Sequence, residues 1–201
     1  MKTYLIALAA ILLAMVIGNS YIMISKDGIA DNYAAAHKAI ADIKQETTTA
    51  HLWVEETISG HQHATFNDFW HSMEKVDAWI DLLAQLHAQD GVGGQGMIDA
   101  VGRLRGFIKS FRSTALKREL NAEKSIPDEV SDLELDIEFD AEFKEIIDIC
   151  GGLDHSLDLS KTEAIAPFRI ANITLITLGL LGVMAVFLSI WRAWQKRIHE
   201  D

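Results

Sequence analysis

Residues 51–60 read HLWVEETISG and bring an imidazole and two carboxylates close together in the chain. His51 and Glu55 are four positions apart, so a helix would carry both side chains on one face. An imidazole nitrogen and a carboxylate oxygen at this spacing can bind one metal ion or one polar ligand. The stretch is therefore the first candidate for a binding site.

Other residues reach the same height as His51 if the chain folds into antiparallel helices. Small-molecule pockets between helices combine apolar walls with a few convergent polar groups. Trp53 and Trp70 could supply the walls, and Arg112 or Lys117 could bind an anion. The predicted ligand-binding residues are His51, Trp53, Glu55, Trp70, His71, Glu74, Arg112 and Lys117.

Three interpretations of this cluster remain open. His51 and Glu55 could be a structural pair that stabilises its own helix by roughly 0.2–0.5 kcal/mol. The cluster could instead line a small-molecule pocket. In the third interpretation His51, Glu55, His71 and Glu74 hold a metal ion or haem, with His61 and His63 of the turn HQHAT nearby. The paired E-x-x-H motifs of di-iron bundles are absent, and no cofactor is predicted.

Two long stretches without charge frame the segment that carries this cluster. Tyr4 to Ile24 spans 21 residues, and Ile170 to Trp191 spans 22. At about 1.5 Å per helical residue, each covers the roughly 30 Å hydrocarbon core of a bilayer. The first is longer than a signal-peptide core and lacks an A-x-A-like site, which favours an uncleaved signal anchor. Small residues in both stretches predict close helix packing: Ala7, Ala9, Ala10, Ala14, Gly18, Gly179 and Gly182.

Basic residues near the ends of the two stretches predict the orientation. Lys2 precedes the first, and Arg192, Lys196 and Arg197 follow the second. Residues 26–169 contain 14 Lys and Arg against 27 Asp and Glu. We therefore expect a two-pass protein of the bacterial inner membrane with both termini cytoplasmic and residues 26–169 in the periplasm. Such an acidic segment argues against a nucleic-acid partner.

Heptad spacing recurs four times in the segment between the two stretches. Each stripe alternates steps of three and four, as a helix packed in a bundle requires. The stripes are Ile29, Tyr33, Ala36, Ile40, Ile43, Thr47, Ala50, Val54; Phe66, Phe69, Met73, Val76, Ile80, Leu83, His87; Val101, Leu104, Ile108, Phe111, Ala115; and Phe139, Phe143, Ile146, Cys150, Leu153, Leu157.

The breaks between these stripes divide the segment into four helices. Gly60 with HQHAT ends the first, DGVGGQG at residues 90–96 ends the second, and Pro127 follows the third. Asp128, or Ser131 with Glu134 in capping-box spacing, could begin the fourth. Gly151 and Gly152 lie inside it and indicate tight packing or local weakness.

The fold predicted is all-α: an antiparallel up-down-up-down four-helix bundle flanked by two transmembrane helices. Residues 1–25 form the first span, 26–169 the bundle, 170–191 the second span and 192–201 a short cytoplasmic tail. Cys150 is the single cysteine, so no intrachain disulfide can form. No catalytic motif is present, and DGVGGQG lacks the lysine of a phosphate loop, so we expect no enzymatic activity.

The layout resembles the four-helix-bundle periplasmic sensor domains of bacterial transmembrane receptors: chemoreceptors, sensor histidine kinases and membrane-bound diguanylate cyclases. HLWVEETISG is similar to a subgroup signature H-L-W-x-E-E-x-x-x-G, and LDIEFDAEFKEIIDIC looks like that subgroup's fourth helix. The resemblance implies a homodimer that senses a small molecule or redox condition and signals through its second span.

Only ten residues, RAWQKRIHED, follow Trp191, with no output module among them. The chain is therefore expected to be either part of a larger receptor or a protein that acts through a membrane or cytoplasmic signalling partner. The leading hypothesis is a sensory module. The alternatives are an accessory or structural subunit that docks another membrane protein, and a metal- or haem-binding bundle.

Overall fold

The computed structural model is all-helical and describes residues 2–60, 65–122 and 129–200. No strand occurs in these ranges. The four helices are α1 (Lys2–Ile58), α2 (Phe66–Asp90), α3 (Gly94–Ala122) and α4 (Glu129–Glu200). The predicted all-α class is confirmed.

The chain divides into two compact units. Met1–Ala30 and Thr162–Asp201 form one, called here the apolar unit, and Asp31–Lys161 forms the other, called here the acidic unit. Helices α1 and α4 each contain an 18-residue window, of mean hydropathy 2.2 and 2.5, that is long and apolar enough to cross a membrane by length and composition.

Three glycines bring α1 and α4 together within the apolar unit. A Cβ on Gly179 would lie 2.1 Å from Met15 Sδ, and one on Gly18 would lie 3.0 Å from Leu175 Cδ2. Gly182 faces Ile11 in the same way, at 3.2 Å. The close approach predicted for these three glycines is confirmed.

The alanines predicted for the same packing face lie elsewhere. Ala7, Ala9, Ala10 and Ala14 are all exposed. Their part of the prediction was wrong because the heptad positions of α1 that face α4 are those of Ile11, Met15 and Gly18, and the four alanines fall between them.

The core of the acidic unit follows the predicted stripes. Of the 24 residues in them that lie in this unit or elsewhere, the most deeply buried include Ile40 of α1, Met73 of α2, Leu104 of α3 and Ile146 of α4. Phe143 and His87 are half-buried at its edge. Heptad spacing predicts burial well here because each helix turns the same stripe inwards along its length.

The turn between α2 and α3 is shorter than predicted. Helix α2 ends at Asp90 and α3 begins at Gly94, inside the segment expected to be a break. Gly91, Gly93 and Gly94 all have positive φ values, of 67°, 79° and 60°. Since side chains with a Cβ rarely adopt this conformation, glycine permits the tight reversal.

Helix α4 begins at Glu129, before Ser131, and continues through Gly151 and Gly152. The tight packing predicted for these two glycines was wrong, because an added Cβ would meet no atom within 4 Å at either position. Both are exposed. They are helix residues of low intrinsic propensity.

Candidate functional site

Arg118 is a buried charge in the core of the acidic unit. It lies on α3, seven residues after Phe111 and three after Ala115, so the heptad directs it inwards. Its side chain is only 2% exposed. A guanidinium in this position requires anionic partners, because removing an isolated charge from water is costly.

The partners of Arg118 come from two other helices. Its Nη1 donates to Glu55 Oε1 of α1 at 2.5 Å, and its Nη2 pairs with Asp136 Oδ1 of α4 at 2.8 Å. Its Cζ lies 5.2 Å from the centre of the Phe139 ring, within cation–π distance. The remaining donor, Nε, is buried without a hydrogen-bond partner.

The carboxylates open this arrangement towards solvent. Glu55 is 36% exposed and Asp136 is 42% exposed, although the guanidinium between them is buried. The ion pairs therefore differ from those of a sealed core, where both charges lose their water. Arg118 holds α1 and α4 at one fixed height relative to α3.

His51 belongs to a stack of aromatic rings beside this charge. Its ring lies 5.2 Å from Phe139 with an interplanar angle of 8°, and 4.5 Å from Phe143. Phe139 in turn stacks on Phe111 of α3 at 4.2 Å. His51 Nε2 lies 2.7 Å from Asp140 Oδ1 of α4. We call His51, Glu55, Arg118, Asp136, Phe139 and Asp140 the Arg118 cluster.

The structure gives His51 and Glu55 different partners. His51 contacts Asp140 of α4, whereas Glu55 contacts Arg118 of α3. Trp53, also on α1, is half-buried, and its carbonyl accepts a hydrogen bond from Thr57 Oγ1. Each of these predicted side chains therefore serves the packing of its own surroundings.

His71 and Glu74 lie on an exposed face of α2. Their side chains are 70% and 80% exposed and approach to 3.8 Å. Trp70 faces α3, where its Nε1 donates to Glu119 Oε2 at 3.4 Å. Its ring meets Phe69 edge-on at 4.8 Å. Trp70 thus covers the α2–α3 contact as an aromatic wall.

The two predicted anion-binding cations are engaged by carboxylates of the chain. Arg112 pairs with Asp77 at 2.7 Å and also donates to the Met73 carbonyl. Lys117 lies 3.8 Å from Glu138. An anionic ligand would have to compete with these internal partners.

The described ranges contain no group of three or more His, Cys, Asp or Glu side chains arranged to hold a metal ion. His51, Glu55, His71 and Glu74 are divided among the separate contacts given above. His61 and His63, which could have joined them, lie outside the described residues.

Sequence reasoning missed Arg118 and His37. Arg118 had a signal, because it continues the stripe of Phe111 and Ala115 by one further step. His37 had none, since its partners Asp154 and Asp158 are more than 100 positions away. Local spacing cannot show which faces of two distant helices meet.

Comparison of the chain with protein-family models, with curated proteins and with solved structures found no match. The contacts themselves are therefore the basis for any functional proposal.

The Arg118 cluster can act as a lock on helix position. Three helices share its charges, and a shift of α4 by about an ångström or two, typical of helix-shift switches, would lengthen the 2.8 Å contact with Asp136 beyond hydrogen-bond distance. Buried ion pairs are best known for fixing register in this manner. The cluster thus couples the ion pairs to the relative heights of α1 and α4.

Proposed function

We propose that the chain is the sensory module of a membrane receptor, in which two spans anchor an extracytoplasmic four-helix bundle. The observation that carries this proposal is Arg118, which holds Glu55 of α1 and Asp136 of α4. These are the two helices that also contain the apolar windows. A stimulus that moves α4 against α1 would act on the helices predicted to enter the bilayer.

The order of side-chain contacts supports an up-down-up-down bundle. Along α1 and α4, Tyr33 meets Ser160, His37 meets Asp154 and His51 meets Asp140, so the numbers rise on one helix as they fall on the other. Helices α2 and α3 show the same reversal, since Arg105 pairs with Asp81 and Arg112 with Asp77. This is the pattern of antiparallel neighbours.

The apolar unit supports the two predicted spans. Its large apolar side chains are exposed, among them Leu5, Ile17, Leu180 and Phe187. Water disfavours such a surface, whereas lipid favours it. Trp191 and Trp194 are about half exposed and suit the membrane interface.

Labelling from outside the cell tests the predicted topology. Cys150 is fully buried, so a cysteine introduced at exposed Gln95 or Gln195 would provide the reactive thiol. We expect a membrane-impermeant maleimide to label Gln95→Cys in spheroplasts, and to label Gln195→Cys only after the membrane is opened. Labelling of Gln195→Cys alone in intact spheroplasts would contradict the proposed orientation.

A thermal-shift screen of the full chain in detergent tests direct sensing. A ligand that binds the folded state raises the Tm by mass action. We expect a small molecule that binds near the Arg118 cluster to raise the Tm of the wild type and to lose this effect in Arg118→Lys. If no compound in a broad panel of metabolites and metals shifts the Tm, direct ligand sensing loses its support.

A docking subunit is the second candidate function. Leu116 and Leu120 are exposed one turn apart on α3, outside the apolar unit. Exposed apolar side chains of this size are suited to a protein contact. In this case Leu116→Gln with Leu120→Gln would remove a cross-linked complex from native membranes and leave the Tm of the purified chain unchanged.

A further inference from the structure

Helix α1 presents a row of nitrogen-bearing side chains to α4 within the acidic unit. His37, Lys44 and His51 are spaced by seven residues, which keeps them on one side of a helix packed in heptads. The two outer members contact aspartates of α4. Lys44 lies near enough to Cys150 of α4 for its charge to act on that thiol.

His37 lies between two carboxylates. Its Nδ1 is 2.7 Å from Asp154 Oδ1, and its Nε2 is 3.3 Å from Asp158 Oδ1. A neutral imidazole has one N–H, and an ionised carboxylate can only accept. Only the imidazolium form can therefore donate to both aspartates at once.

His51 repeats this chemistry two heptads along α1. Its Nε2 lies 2.7 Å from Asp140 Oδ1, and its ring is stacked between those of Phe139 and Phe143. An imidazolium on an aromatic face gains cation–π attraction in addition to the ion pair. Both histidines thus hold α4 more strongly when they carry a proton.

The other charged groups around this row are constant in charge near neutral pH. Lys38 is paired with Asp42 on α1 itself. On the side of α1 that faces α2, Lys75 pairs with Glu46. From α3, Arg118 occupies Glu55, one turn beyond His51. The Tyr33–Ser160 hydrogen bond next to His37 is between neutral hydroxyls.

We propose that protonation of His37, assisted by His51, controls the contact between α1 and α4 and makes the acidic unit responsive to pH. Histidine is the side chain whose charge ordinarily changes between about pH 5 and 8. The contact is intact on the acid side of this range, where the imidazolium faces ionised aspartates. It weakens as the pH rises and His37 loses its charge and one of its two donors.

The response to pH is a property of the acidic unit and does not depend on a membrane. That this response is a signal rests on the proposed sensory function, since α1 and α4 also contain the apolar windows. Under that function the stimulus would be acidity itself, and no small-molecule ligand would be needed.

Thermal unfolding of the full chain in detergent between pH 5.5 and 8.5 tests the proposal. We expect the wild-type Tm to fall by about 2–4 °C over this range, as the loss of one charge-assisted contact would produce in a chain of this size. His37→Gln should remove at least half of this fall. His71→Gln is the matched control, because His71 is an exposed histidine of α2, and it should keep the wild-type pH dependence.

A second variant covers the case in which His37→Gln does not fold. Asp158→Asn removes the charge of the aspartate facing Nε2 and leaves the closer Asp154 contact, so it should weaken the pH dependence by a smaller amount. An unchanged pH dependence in a folded His37→Gln or in Asp158→Asn would overturn the proposal.

The distance between nitroxides on Ala41→Cys and Gly151→Cys, both exposed positions, shows whether the helices move. We expect the distance distribution to lengthen or broaden as the pH rises, and to become independent of pH in His37→Gln. The same distribution at both pH values in the wild type would overturn the proposal. Since neither measurement depends on membrane orientation, its failure is distinct from failure of the topology experiment.

Discussion

At the scale of single residues, the acidic unit places its unusual chemistry on α3 and α4. Arg118 carries a charge at a position that continues an apolar stripe. Buried polar atoms without a hydrogen-bond partner lie on the same helices, among them Thr114 Oγ1 and Glu142 Oε2. Such groups reduce stability in return for specific positions, which fits a unit whose helices have to hold one register and release it.

Replacing Arg118 tests its importance as a lock. Arg118→Ala leaves Glu55 and Asp136 without their cation and creates a cavity beside Phe139. We expect the free energy of unfolding to fall by about 2–4 kcal/mol in urea titrations followed by circular dichroism. Arg105→Ala is the control, since its pair with Asp81 is exposed and such pairs contribute about 0–1 kcal/mol. Equal losses in the two variants would argue against a special role for Arg118.

Cys150 should be almost unreactive in the folded chain. Burial raises the pKa of its thiol to about 12, with Lys44 opposing the shift and Asp154 adding to it. The thiolate is the nucleophile, so iodoacetamide at pH 8.5 should modify the folded chain at least about 100-fold more slowly than the urea-unfolded chain. Comparable rates would show that the thiol is accessible.

The same pKa shift predicts how stability changes in alkali. Below the ordinary thiol pKa of 9.0, both the folded and the unfolded chain keep the proton. Between pH 9 and 12 the unfolded chain loses it while the folded chain retains it, so the free energy of unfolding falls as the pH rises. Cys150→Ala should show a shallower fall over this range in denaturant titrations at fixed pH.

At the scale of elements, α4 uses glycine in two opposite ways. Gly152 is exposed and has open space around it, whereas Gly179 lies against Met15 of α1. In the first position glycine only weakens the helix through its backbone entropy. In the second position it allows two apolar segments to approach closely, as small residues do between membrane helices.

A pair of identical substitutions separates these two uses. Gly152→Ala should raise the free energy of unfolding by up to about 1 kcal/mol, because it adds helix propensity without a clash. Gly179→Ala should lower it by about 1–3 kcal/mol, because Met15 has to move away from the new methyl group. Thermal unfolding in one detergent compares the two variants directly. A destabilised Gly152→Ala would reveal a contact that involves this face.

At the scale of the whole molecule, charge is distributed unevenly along the chain. Residues 31–161 contain 12 Lys and Arg against 25 Asp and Glu, whereas Arg192, Lys196 and Arg197 follow the second apolar stretch closely. Basic residues next to a span resist translocation, while acidic loops cross readily. The proposed orientation follows from this difference.

Reversing the three charges tests the orientation. Arg192→Glu, Lys196→Glu and Arg197→Glu together remove the basic end that is expected to hold the carboxyl terminus in the cytoplasm. We expect the fraction of Gln95→Cys accessible to impermeant maleimide to fall in this variant. Arg103→Glu with Lys109→Glu, two changes on α3, should leave that fraction unchanged.

The helices and much of the core could be predicted from spacing alone. Ile40, Val76, Leu104 and Ile146 were expected to be buried and are buried, because a heptad in one helix specifies its inward face whatever the partner is. The candidate site could be predicted only in part. His51 and Glu55 were chosen for being one turn apart, yet each contacts a different helix.

The sequence by itself determined the helical class, the inward stripes and the two apolar stretches, since these depend on the order of residues within a single element. The tertiary structure decided which side chains meet: Arg118 with Glu55 and Asp136, and His37 with Asp154 and Asp158. These contacts join positions that are far apart in the chain. They depend on the rotation and height of one helix against another, and that is set by the packing of all four helices together.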